Sequence, residues 1–183
     1  NHRSVAGILD YIRRLGALVG AGDKANAYAD GLQRGLQAIE RDAAALPSRP
    51  KVYFEEWDEP PITGIRWVAE LVRIAGGDDI FPERALESLA KARILEDPDE
   101  VIRRAPDIIL GSWCGKKFRP GRVAARPGWH AIPAVRTGQL FEVKSPLILQ
   151  PGPAALTDGV SEIARVIRAW AEQEGAADCR PGS

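Results

Sequence analysis

Apolar residues fall at helical spacing from the first turns. Val5, Ile8, Leu9, Ile12, Leu15 and Val19 recur at steps of three and four. Gly20 and Gly22 stop that pattern. A second amphipathic run covers residues 23–46, with Tyr28, Leu32, Leu36, Ile39, Ala43 and Leu46 on one face. Asp30, Arg34, Gln37, Glu40 and Arg41 occupy the opposite face. This predicts a helix roughly 35 Å long at about 1.5 Å per residue. Pro47 and Pro50 end it.

After that helix the period changes. Val52, Tyr53 and Phe54 predict a short buried strand, and residues 55–61 an acidic loop. Thr63 is placed to cap a helix over 64–75, which Gly76 and Gly77 close. Residues 78–96 have no firm period and are read as irregular, with a helical turn near Leu86. Asp97, Pro98 and Glu100 form a helix start: aspartate caps, proline fits the first helical position, and glutamate stands where a capping box needs it. That helix ends before Pro106. Ile108, Ile109 and Leu110 predict a second buried strand, residues 111–121 a loop, and residues 140–143 a third strand after the turn at Gly138. A proline-rich loop, 145–153, leads to a last helix with Val160, Ile163, Ile167 and Trp170 on one face. The small and polar residues 175–183 predict a frayed tail.

Strands alternating with helices, two of them continuous apolar runs, predict an α/β fold: a Rossmann-like lobe with a mostly parallel sheet, preceded by a long helix. In such sheets ligands gather at the carboxyl ends of the strands. Loops 55–61, 111–121 and 145–153 are therefore expected to share one rim.

Composition narrows the function. The 25 basic and 25 acidic residues cancel, so charge gives no argument for nucleic acid or an anionic membrane surface. No apolar run reaches the ~18 residues of a membrane span. No signal-peptide pattern stands ahead of the first helix, and without a methionine the chain is not expected to open at a translation start. Cys114 and Cys179 are too few for a disulfide framework, although one bridge between them could form in an oxidising compartment.

The first loop carries Glu55, Glu56, Asp58 and Glu59 around Trp57. Acid–base catalysis needs two carboxylates in different environments, whereas four in five positions read as a solvated turn. Trp57 is expected at the rim of a cleft, where it either plugs its own domain or offers a stacking face. The second loop, Gly111-Ser112-Trp113-Cys114-Gly115-Lys116-Lys117, fails the spacing of a phosphate-cradling loop and of a nucleophile elbow. Trp113, Lys116 and Lys117 nonetheless suit a large ligand with anionic or amide edges; the alternative is a surface turn with solvated lysines. Isolated His2 and His130 supply neither a metal set nor a marked base for Cys114. Neither a metal site nor a catalytic residue is expected.

The ordered set of long helix, strand, acidic-tryptophan loop with Pro60 and Pro61, Gly76-Gly77 before Ile80-Phe81, and Ala105-Pro106-Asp107-Ile108-Ile109 resembles a known family. It is the helical-backbone class of periplasmic binding proteins, which serve ABC importers of cobalamin, haem and ferric siderophores. Residues 53–60, 64–77, 111–118 and 149–159 resemble the cobalamin branch, and the likeness covers roughly 5–171. Family members have two α/β lobes joined by one long helix, with ligand between the lobes. The resemblance implies that residues 1–22 hold a remnant helix of a first lobe, 23–46 the connecting helix, 47–174 the C-terminal lobe and 175–183 a flexible tail. It implies non-covalent capture of a corrinoid, with haem or a ferric siderophore as the alternative, no covalently bound cofactor, and delivery to an inner-membrane permease from the periplasm. Carried over by position, Glu56 and Trp57 in the first loop, and Ser145 and Gln150 in the last, would contact the ligand. Pro146 and Gln150 stand where a relative has aspartate and arginine. Asp99, with Glu100 beside it, matches the carboxylate that docks such a lobe on its permease; the helix cap is the competing use.

Overall fold

The computed structural model describes residues 2–178. Two antiparallel helices open it, α1 (Val5–Leu18) and α2 (Gly22–Ala44). The Ser4 hydroxyl caps α1 by accepting the Gly7 N–H at 3.0 Å. Gly16 lets the pair close: a Cβ there would stand 2.1 Å from that of Ala25. Ile8 and Leu9 of α1, with Leu32 and Leu36 of α2, are buried, as the spacing predicts.

A five-stranded sheet follows. Strand β1 (Lys51–Asp58) pairs in parallel with β4 (Ile108–Gly111), which pairs in parallel with β5 (Leu140–Glu142). The other edge of β1 is shared: β3 (Asp78–Asp79) runs parallel along its start, and β2 (Pro61–Thr63) folds back antiparallel along its end. The mostly parallel α/β architecture is therefore present. Val52, Phe54, Ile108 and Leu110 face a core built with α1, α2, α3 (Arg66–Ile74) and α9 (Val160–Asp178). Tyr53 and Ile109, one residue out of phase, face a second core with Phe81, Val101, Trp113, Phe118, Val123 and Trp129. Burial on both faces explains why these strands read as unbroken apolar runs.

Several local expectations are corrected. The acidic stretch is not a loop, because β1 runs through Asp58 and turns into β2. Thr63 caps no helix; it lies buried in β2, and α3 starts after Ile65 without a side-chain cap. Residues 78–96 have the helical turn expected near Leu86, as α4 (Pro82–Ala85), but are not otherwise irregular: they also hold β3 and a 3-10 turn, Ala90–Arg93. Before α5 (Asp99–Arg104), Asp97 does cap, accepting the Asp99 N–H at 3.0 Å. Glu100 closes no capping box and instead binds Arg84 at 3.2 Å and Arg104 at 2.5 Å. Two short helices, α6 (Pro120–Ala124) and α7 (Pro133–Arg136), lie between β4 and β5. The last loop begins as helix α8 (Ser145–Ile148), and α9 continues into residues 175–178, the first part of the expected tail. Residues 179–183, and with them Cys179 and its bridge to Cys114, lie outside the described residues.

Candidate functional site

The ends of β1, β4 and β5 meet on one rim, and a fully buried carboxylate organises it. Glu55, in β1, accepts both terminal nitrogens of Arg126 at 2.5 and 2.9 Å, the Trp113 indole N–H at 3.0 Å and the Tyr53 hydroxyl at 3.1 Å. A buried carboxylate is tolerable only when charge-paired and hydrogen-bonded, and Glu55 is both. Burial, then the adjacent Glu55 charge, pushes the Tyr53 phenol well above its usual range.

The rest of the acidic stretch is also partnered. Glu56 forms a bidentate pair, at 2.6 and 3.2 Å, with Arg93, a guanidinium 2% exposed. Asp58 is buried against the Lys116 ammonium, with Arg122 3.9 Å away, and Arg122 also reaches Glu59 at 3.1 Å. The solvated acidic turn is thus a row of ion pairs, of which Glu59 alone is exposed.

Strand β4 ends where only glycine fits. A Cβ on Gly111 would fall 1.9 Å from the Phe118 ring. Phe118 packs edge-on to Trp113 at 5.0 Å, and its N–H is taken by Glu142 at 3.1 Å. Trp113 is 3% exposed: its ring belongs to the core and its N–H to Glu55, so it offers a ligand only an edge. The loop then rises through exposed Cys114 and Gly115, whose φ of +74° is natural to glycine. Lys116 returns over the half-buried Trp57, its ammonium 4.1 Å from that ring centre and 5.3 Å from that of Trp113. The Trp57 N–H donates to the Glu59 carbonyl at 2.9 Å.

A hollow of about 510 Å³ opens between this loop and the end of β5, lined by Trp113, Gly115, Lys116, Lys117, Glu142, Lys144, Ser145 and Pro146. It brings together Trp113, Lys116, Lys117 and Ser145, with Trp57 joined through Lys116. Gln150 is exposed and does not line it. Glu56 does not line it either and is committed to Arg93. Sequence reasoning passes over Lys144, although a lysine just past an apolar strand end carries the signal. It also passes over Arg93 and Arg126, whose partners lie elsewhere in the chain, and reads Asp58 as solvated. Asp99 is exposed and Glu100 half-buried, beside a separate hollow of about 390 Å³ that Asp58, Asp97, Asp99, Arg122 and Arg126 help line. Among the described residues no group of three His, Cys, Asp or Glu side chains could hold a metal ion, and no helix is long and apolar enough to cross a membrane.

The fold has known counterparts. The chain is similar to an ABC transporter substrate-binding protein from Listeria monocytogenes, at 16% identity and a TM-score of 0.78, over 92% of this chain and 66% of that one. It is similar to IsdE of S. aureus complexed with heme, at 20% identity and 0.74, over 91% and 66%. It is also similar to the periplasmic vitamin B12 binding protein BtuF of Vibrio cholerae, at 20% and 0.68, over 93% and 64%. This chain therefore spans just under two thirds of the length of these solved proteins. No curated protein matches it. A family model described as periplasmic binding protein matches residues 1–147. With that match over most of its length, and a parallel sheet whose strand ends meet at one open rim, the chain belongs to the periplasmic binding protein family.

Proposed function

We propose that this chain captures a corrinoid of the cobalamin type outside the cytoplasm and passes it to the permease of an ABC importer, without making or breaking a bond in it. The observation that carries this reading is the open hollow at the strand ends, where lysines and a bare glycine turn stand together, with the half-buried Trp57 reached through Lys116. Such a surface suits a large ligand held by several weak polar contacts. The carboxylates that could serve an enzyme are tied to cations, and among the described contacts none links Cys114 to His130. Relatives with this fold include proteins whose structures hold heme and one that binds vitamin B12; haem or a ferric siderophore is therefore the second reading. The preference for a corrinoid rests on the resemblance of residues 53–60 and 111–118 to the cobalamin branch. In the same reading Asp99, with Glu100, faces the permease.

The test is titration of the intact protein with cobalamin, haem and a ferric hydroxamate, followed by tryptophan fluorescence and chelate absorbance. Saturable quenching strongest with cobalamin, with the chelate recovered unchanged, is the expected result. Tighter binding of haem or the hydroxamate replaces the corrinoid by that ligand, and a chemically altered chelate overturns the carrier reading.

A further inference from the structure

The lysines around the hollow are not equivalent. The Lys116 ammonium is engaged inside the protein: it contacts the buried Asp58 carboxylate and lies over Trp57. Lys117 and Lys144 are exposed, line the same hollow from two different strand ends, and have no ion-pair partner among the described residues. The one carboxylate among them, Glu142, receives the Phe118 N–H and is not ion-paired to either lysine. Asp58 therefore cancels Lys116, and the hollow keeps a net positive charge on a chain whose formal charge is zero. The rest of its wall is the Ser145 side chain, the Gly115 backbone, where a Cβ would meet nothing within 4 Å, and the apolar Trp113 and Pro146.

We infer that Lys117 and Lys144 form a two-sided clamp for one anionic group, a carboxylate or a phosphate, at the edge of the bound chelate. This rests on the carrier reading and adds the chemistry that the site selects. Lys116 is a positioning residue: it fixes the β4 loop against the end of β1 and leaves Trp57 oriented. Two ammonium groups from opposite sides of one hollow that share an oxyanion gain more than a single surface pair, and the gain weakens as salt screens it. Neutral amide edges gain nothing from the clamp.

The experiment uses two matched probe pairs on the intact protein: haem with its dimethyl ester, and cobinamide phosphate with cobinamide, which lacks only the phosphate. Fluorescence titrations are run at low and high salt on the unsubstituted protein, Lys117→Gln, Lys144→Gln and Lys116→Gln. The anionic member of at least one pair is expected to bind about five- to tenfold more tightly than its neutral partner, from a coupling of about 1 kcal/mol. Lys117→Gln and Lys144→Gln each remove most of that preference, whereas Lys116→Gln shifts both members of a pair alike. Preference confined to the haem pair assigns the anion as carboxylate, and preference confined to the cobinamide pair assigns it as phosphate. Equal binding within both pairs, or a preference untouched by Lys117→Gln and Lys144→Gln, overturns the clamp and leaves the carrier reading standing. Binding of none of the four probes, nor of a ferric hydroxamate, removes the carrier reading and the clamp with it.

Discussion

Single residues on this rim do more than their sequence neighbourhood indicates. Glu55 reads in sequence as one of four solvated carboxylates, yet it is the most enclosed of them. Its partner Arg126 is 71 residues away and sits in no recognisable pattern, so nothing local could announce the pair. Trp113 was legible as notable, but its direction was not: indole burial depends on Phe118 folding over Gly111, which only the assembled loop reveals. The Glu55–Arg126 pair gives a strong prediction. Arg126→Ala leaves a fully buried carboxylate with two neutral donors and no cation, and should cost about 3–5 kcal/mol. Glu55→Gln combined with Arg126→Met removes both charges at similar volume and should cost clearly less than Arg126→Ala alone. Urea unfolding of the three proteins checks the ranking; a double variant less stable than Arg126→Ala would show that the pair itself, rather than the avoided lone charge, holds the rim.

Among elements, legibility followed burial. Strands buried on both faces and amphipathic helices left periodic traces, so β1, β4, α1, α2 and α9 could be located. The end of β1 was lost because its residues are charged, and charge reads as loop unless the distant cations are known. Within residues 78–96 the helical turn expected near Leu86 is present as α4, which proline starts, whereas β3 and the 3-10 turn were lost because they are too short for periodicity. At that junction Asp79 accepts the Phe81 N–H at 2.9 Å, turning β3 into α4. Burial raises the Asp79 carboxyl from 3.8 to about 6, outweighing the opposing hydrogen bond from Phe81. Because the folded value is the higher one, the folded state holds the extra proton between pH 3.8 and about 6. The stability due to the protonated acid is complete below that window and is lost as pH rises through it. Asp79→Asn keeps the acceptor oxygen and removes the charge, so it should flatten this slope and stabilise the protein at pH 7 by about 1–2 kcal/mol, a discounted figure for a partly buried group. Thermal melts of both proteins from pH 3.5 to 7.5 measure it; an unchanged slope in Asp79→Asn would assign the titration to another group.

For the whole molecule, the family and the layer order were legible because they rest on an ordered set of elements rather than on any one motif. The ligand was not, because a hollow at strand ends is assembled by topology: Lys116 and Lys117 stand out in their loop, but Lys144 joins them only once β5 is placed beside β4. The same separation of roles applies to the proposed permease contact. Asp99 and Glu100 are adjacent in sequence but unlike in structure. Glu100 holds Arg84 and Arg104, and Arg104 in turn lies 4.2 Å over the Phe81 ring and bonds the Ile80 carbonyl. Reversing its charge would loosen α5 from α4, so lost transport in Glu100→Lys would not by itself speak for docking. Asp99 is exposed, shares in no ion pair among the described residues, and lies in the first turn of a short helix, where its loss costs a few tenths of a kcal/mol. Asp99→Lys is therefore the clean variant. A charge at the edge of an interface sets encounter and register with the partner more than fold or ligand affinity. The expected result with the intact protein and its reconstituted importer is unchanged chelate binding and melting temperature, with uptake reduced about tenfold or more at low salt. Restored uptake with a compensating acidic substitution on the permease would identify the partner cation. Uptake by Asp99→Lys equal to that of the unsubstituted protein would remove Asp99 from the docking surface and leave α5 as a structural element alone.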